Sequence, residues 1–177
     1  MNARRLRNSC LMVLATVGAV ACSALPRRNS AEEAYRAFKK IAGATTIGVN
    51  RLSYDALLQD AAAQVLILRD LAISASDSAT LRYYASALEA YKDADALWAE
   101  QIKDARYDWI PKGRIMLINP ALATRYQLSI TTEKMPYTGS EYQTVPSESI
   151  QDIWSVAEAV ADSGNSALIP ELRRAYR

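Results

Sequence analysis

The 177-residue chain contains no histidine. That removes the side chain most often used as a general base or proton shuttle near neutral pH, and the commonest nitrogen ligand for zinc or copper. Cysteine occurs only at Cys10 and Cys22, so everything beyond residue 22 lacks thiol catalysis, thiolate metal sites and internal disulfides. Glycine is sparse, and neither a Gly-rich phosphate loop nor a Gly-x-Ser-x-Gly elbow is present. The apolar run from Cys10 to Ala21 is 12 residues long, short of the roughly 20 helical residues that a hydrocarbon core requires. What remains is carboxylate, serine with lysine, tyrosine or arginine chemistry. The sequence nominates no catalytic residue, no metal ligands and no cofactor.

Charge offers no partner either. The formal balance is +2, and removal of residues 1–21 would take away Arg4, Arg5 and Arg7 but no acidic side chain, leaving −1. Nucleic-acid binding needs a clustered basic face, and none is apparent. Arg27 and Arg28 form one local basic pair, suited to anionic headgroups at about 1 kcal/mol each or to ordinary solvation of a linker.

The amino end is richer in signal. Three arginines, the apolar run and the small residues Gly18, Ala19 and Ala21 precede Cys22, the layout of an export signal. The segment Gly18-Ala19-Val20-Ala21-Cys22 resembles the lipobox of bacterial lipoproteins. That resemblance implies diacylglycerol on the Cys22 thiol, cleavage before Cys22 and acylation of the new amino group. Two or more acyl chains then give a stable anchor where one is marginal. It also implies an envelope location: Ser23 is similar to the residue of lipoproteins passed to an outer membrane, facing the periplasm, with the cell membrane as the site in an organism that lacks one. Ala19-Val20-Ala21 equally satisfies ordinary signal-peptidase cleavage, which would leave Cys22 a free thiol, and Arg4-Arg5 is a fragment of the twin-arginine pattern.

The organisation expected is a signal over 1–21, a lipidated terminus and linker over 22–29, and one helical domain over 30–177. Ser30 and Glu33 form a capping box opening a helix with Ala34, Phe38, Ile41 and Ala42 on one side, ended by Gly43 or Gly48. A second helix starts between Asn50 and Ser53, its stripe of Tyr54, Leu58, Ala61, Val65, Leu68 and Ala72 widened by Leu57, Leu66, Ile67 and Leu71. This breadth predicts the central helix. After a break at Ser74–Ser78, a third helix runs from Ala79 to Arg106 along Leu81, Tyr84, Leu88, Tyr91, Ala94, Trp98, Ile102 and Ala105, and should fold back on the second as an antiparallel hairpin. Asn119-Pro120 opens a short helix that stops before Ser129. Alternation over Tyr126–Thr131 and Glu141–Val145 predicts a β-hairpin around Pro136–Ser140. A last helix opens near Ser147, places Ile150, Ile153, Trp154, Ala157, Val160 and Ala161 on one face, and ends at Gly164. The fold class is therefore mainly α: a small antiparallel bundle built on a long helical hairpin, with a short β-hairpin in the C-terminal third.

Two groups of side chains compete for function. Glu89, Asp93, Asp95, Glu100 and Asp104 place carboxylates on shared helix faces, but the interspersed Lys92, Lys103 and Arg106 favour a solvated charged face. The aromatic balance is less ordinary, with ten tyrosines and three tryptophans beside one phenylalanine. Tyr84 and Tyr91 lie on a core stripe, whereas Tyr137 and Tyr142 fall where no helix stripe explains them and are the candidate contact surface. The stretch from Glu33 through Gly48-Val49-Asn50 to Leu71 looks like helical segments of uncharacterised bacterial exported proteins, a resemblance that implies no activity. The expected role is a membrane-anchored lipoprotein that binds another envelope protein. Alternatives are a small-molecule or glycan-binding module and a carboxylate-dependent cell-wall hydrolase.

Overall fold

The computed structural model describes residues 29–71 and 75–175. Cys22 and its neighbours, on which the anchor expectation rests, lie outside them. The first described helix, α1, covers residues 29–47. Asn29 and Ser30 are already helical, which displaces the expected cap from Ser30, and Glu33 pairs with Arg36 at 2.8 Å. Ala31, Ala34, Ala37, Phe38, Ile41 and Ala42 form its buried stripe. Gly43 is helical, and the chain breaks at Gly48, whose φ of +105° is costly for any residue with a Cβ.

Helix α2 spans Arg51–Leu71, its start capped by the Asn50 side chain, which accepts from the Ser53 N–H at 2.9 Å. Only Tyr54, Ala61, Val65 and Leu68 are fully buried. Leu66 and Ile67, which widened the stripe in sequence, face outward. The central position belongs to α3, Ala75–Asp104, which packs against α1 through Phe38, against α2 through Tyr54 and Arg51, and most extensively against α5. Breadth of apolar surface misled because α2 lies at the edge of the bundle, where part of that surface stays exposed.

Helix α5, Ser149–Ala175, runs straight through Gly164. Gly164 is buried against Tyr83 and Tyr84 of α3. A Cβ there would lie 2.6 Å from Tyr84 Cε1 and 2.9 Å from Tyr83 Cβ, so the glycine serves helix contact and not helix termination. Ala157 and Ala161 continue the same thin face. Opposite it, Tyr84 and Tyr91 fill the interior and sit on either side of Phe38 with ring centroids at 5.5 and 6.1 Å. Tyr35 and Lys39 of α1 reach Asp162 and Glu158 of α5, and Lys40 reaches Asp60 of α2 at 3.2 Å.

Between α3 and α5 the chain builds β1 (Arg114–Met116), α4 (Pro120–Tyr126), β2 (Thr131–Lys134) and β3 (Glu141–Pro146). A hairpin is present as β2 and β3, paired antiparallel from Thr131↔Thr144 to Lys134↔Glu141. Its second strand lies where expected, but the first begins only at Thr131, because Tyr126 closes α4 instead of opening a strand. Strand β1 adds an unexpected third member on the other side of β3, giving the order β1-β3-β2. Ile115 and Val145 are direct partners and both are fully buried, which seats the sheet on the C-terminal part of α3. Helix α4 follows the Asn119-Pro120 signal: the Asn119 side chain accepts from the Ala121 N–H, and Gln127 closes the helix in the left-handed region.

Tyr54 ties three helices together. Its hydroxyl donates to the Tyr91 carbonyl at 2.8 Å and accepts from Trp154 Nε1 at 2.9 Å. The Tyr84 and Tyr91 hydroxyls are equally buried, yet have no hydrogen-bond partner among the described residues.

Three outcomes are expected from thermal or urea unfolding. Gly164→Ala should cost about 1–3 kcal/mol through overpacking, although glycine to alanine in a free helix interior gains about 1 kcal/mol. Tyr54→Phe should cost about 1–3 kcal/mol by leaving the Trp154 N–H unpaired. Tyr91→Phe, which removes an unpaired hydroxyl, should be neutral or stabilising by up to about 1 kcal/mol.

Candidate functional site

The α3 carboxylates do not converge. Glu89 is exposed and pairs with Lys92 at 3.0 Å, and Glu100 pairs with Lys103 at 3.0 Å. Asp93 accepts from Arg125 Nη1 at 2.6 Å and from the Tyr126 hydroxyl at 2.7 Å, pinning α4 to α3. Burial, and then the Asp93 carboxylate beside it, push the Tyr126 phenol up to about 12. Asp95 meets Arg51 at 3.2 Å. Burial raises its pKa, and the guanidinium only partly opposes that rise. Asp104 is nearly enclosed, and its Oδ2 accepts from the Met116 N–H at 2.6 Å, joining the end of α3 to β1. Burial raises its pKa against that hydrogen bond. Each carboxylate thus has its own structural partner, with Glu100 near enough to Asp104 to help raise its pKa. Among the described residues no group of three His, Cys, Asp or Glu side chains could hold a metal ion, and no helix is long and apolar enough to cross a membrane.

The two nominated tyrosines are not brought together. Tyr137, in the turn between β2 and β3, is 87% exposed. Tyr142 on β3 is 9% exposed. Its ring packs edge-on against Trp109 at 5.1 Å, and its hydroxyl donates to the Trp109 carbonyl at 3.2 Å. Strand alternation turns Tyr142 inward, where it packs the sheet while also bordering an open depression of about 390 Å³ with Met116, Ile118 and Thr132, and Tyr137 stands exposed in the turn.

A more organised surface lies where the α1–α2 turn, the C-terminal third of α3 and the start of α5 meet. Trp98 and Trp154 stand perpendicular with centroids 5.8 Å apart, and each also touches Tyr54. Beside them is an open groove of about 260 Å³, with Gln101, Gln151, Ser147 and Thr45 among its lining residues. The neighbouring turn carries Ile47 and Leu52, exposed by 89% and 81%. A separate depression of about 560 Å³ lies past the end of α3 and is charged, with Arg106, Lys112 and Arg114 near Asp104 and Asp108. Arg114 is committed to the sheet through Thr144.

Sequence reasoning placed Trp98 and Trp154 on core stripes and missed their partial exposure. A stripe residue near the end of a bundle has core on one side only. The available signal was the closeness of Trp154 to the Ser147 break and of Trp98 to the end of its helix.

No protein-family model matches the chain, and no curated protein or solved structure matches it at a significant level.

The Asp104 environment has a definite pH signature. A carboxyl with a raised folded-state pKa contributes stability that is present below the ordinary carboxylate range and lost as pH rises through the folded value. Asp104→Asn keeps an acceptor for Met116 and carries no charge. Its stability relative to the native chain should therefore rise between about pH 3 and pH 7 in urea titrations. Asp104→Ala removes the acceptor and should be about 1–3 kcal/mol less stable at both pH values.

Proposed function

We propose that this chain is a lipid-anchored binding module of the bacterial cell envelope, held through Cys22 and presenting the sheet-bearing end of its bundle to another envelope protein. The observation that carries this reading is the polarity of the bundle. Helix α1 enters at one end, beside the C-terminal half of α5, where Tyr35 meets Asp162. Its other end carries the exposed Ile47, with Leu52 following in the first turn of α2, about 28 Å from the start of α1 at 1.5 Å per residue. An anchor before α1 therefore leaves the apolar turn pointing away from the membrane, where a partner can reach it. Large exposed apolar side chains set close together in this way suit a protein contact.

The engagement of Glu89 with Lys92 and of Asp93 with Arg125 and Tyr126 supports binding over the cell-wall hydrolase alternative, which would need that pair as acid and base. In an organism with two membranes the anchor is assigned to the outer one, facing the periplasm. In an organism with one, it is assigned to the cell membrane.

Intact-mass measurement of membrane-extracted protein tests the anchor. The expected product begins at Cys22 with added acyl mass, and Cys22→Ser lacks that mass. An unmodified chain beginning at Cys22 would remove the tether. For the partner surface, a photo-crosslinker at position 47 or 52 in intact cells should give a discrete protein adduct that the same probe at Glu89 does not. Equal labelling at all three positions would discard this surface.

A further inference from the structure

We propose that the groove beside Trp98 and Trp154 is a binding site for a neutral pyranose oligosaccharide, distinct from the protein contact assigned to Ile47 and Leu52. Four observations converge on that ligand class. First, none of the nine residues lining the groove is charged, in a chain where 23% of residues are. An ionic ligand would find its counter-charges in the depression past α3 and not here. Second, two indoles supply apolar faces of the kind that pack against the C–H face of a sugar ring. Third, hydrogen-bonding capacity is unspent, because the side-chain amides of Gln101 and Gln151 and the indole N–H of Trp98 have no protein hydrogen-bond partner among the described residues. Amides both donate and accept, which suits hydroxyl groups that do the same. Fourth, the platform is rigid: Trp154 is fixed by its N–H donation to Tyr54 and by edge contact with Trp98, so little side-chain freedom is lost on binding.

Size narrows the ligand further. The groove, at about 260 Å³, is open and smaller than the roughly 300–1,000 Å³ of sites that enclose a whole small molecule. It therefore holds one or two rings of a longer chain that runs past it. Gly48 and Val49 of the α1–α2 turn line one wall, so the exposed Ile47 and Leu52 belong to the same end of the molecule and a glycan and a protein partner can be held side by side.

The test uses the full-length protein in a detergent without a sugar headgroup, titrated with tetra-N-acetylchitotetraose, cellotetraose and maltotetraose. Tryptophan fluorescence and saturation-transfer NMR are the readouts. At least one tetraose should give a saturable fluorescence change with transfer to its ring protons. The double variant Gln101→Ala/Gln151→Ala should bind about tenfold or more weakly, with circular dichroism and Tm unchanged, and Tyr137→Ala should bind normally. Absence of any saturable change up to about 10 mM overturns the proposal. So does unaltered affinity in the double variant. Because the titration reads the folded domain and not the lipid, its failure leaves the anchoring proposal intact, and failure of the anchor leaves this site intact.

Discussion

A helix can be packed on several sides at once only when its neighbours approach closely enough for its own side chains to fill the space between them, and α3 meets that constraint through the thinness of the faces opposite. Gly164, Ala161 and Ala157 on α5, with Ala34 and Ala37 on α1, leave room for Tyr84 and Tyr91. Large rings on one helix against small residues on its neighbours is a jigsaw in which volume cannot be added at the small positions. The position of the sheet follows from it, since β1 rests on α3 and its Met116 N–H is held by Asp104 at the end of that helix. The groove follows too, because Trp98 and Trp154 come from the two helices that this contact holds together.

Choosing tyrosine over phenylalanine in such a core has two distinct results. At Tyr54 the hydroxyl does structural work in three directions, joining the start of α2 to the backbone of α3 and to an indole of α5. At Tyr84 and Tyr91 the hydroxyls are carried inside unpaired. Burial holds the pKa of all three phenols above the ordinary value, so the core tolerates them as neutral groups and resists their ionisation.

Much of this arrangement was legible in the chain. Four-three spacing located each long helix because that periodicity is imposed by burial itself, and Asn119-Pro120 marked α4 because proline at the first helical position loses nothing. What could not be read was depth. Leu66 and Ile67 look like core residues in sequence but belong to an edge helix, and Gly164 looks like a stop signal but marks a helix crossing. Strand β1 is three residues long and owes its existence to β3, about 30 residues away, and to the Asp104 carboxylate that accepts from Met116. The candidate surface was blurred for the same reason: Tyr142 alternates inward, while two tryptophans on respectable core stripes emerge at the end of the bundle.

The long reach of the α1–α5 contact shapes how the chain comes together in time. Tyr35 and Asp162 are separated by 127 positions, and Lys39 and Glu158 by 119. A chain delivered amino end first exposes the apolar stripe of α1 long before its final cover exists, because α5 is the last element to arrive. Closure of the core therefore waits on the slowest kind of contact, one formed between distant segments. Until then, Phe38 and Ile41 are held only by whatever α2 and α3 provide, which makes the interval before α5 arrives the period of greatest vulnerability to aggregation and proteolysis.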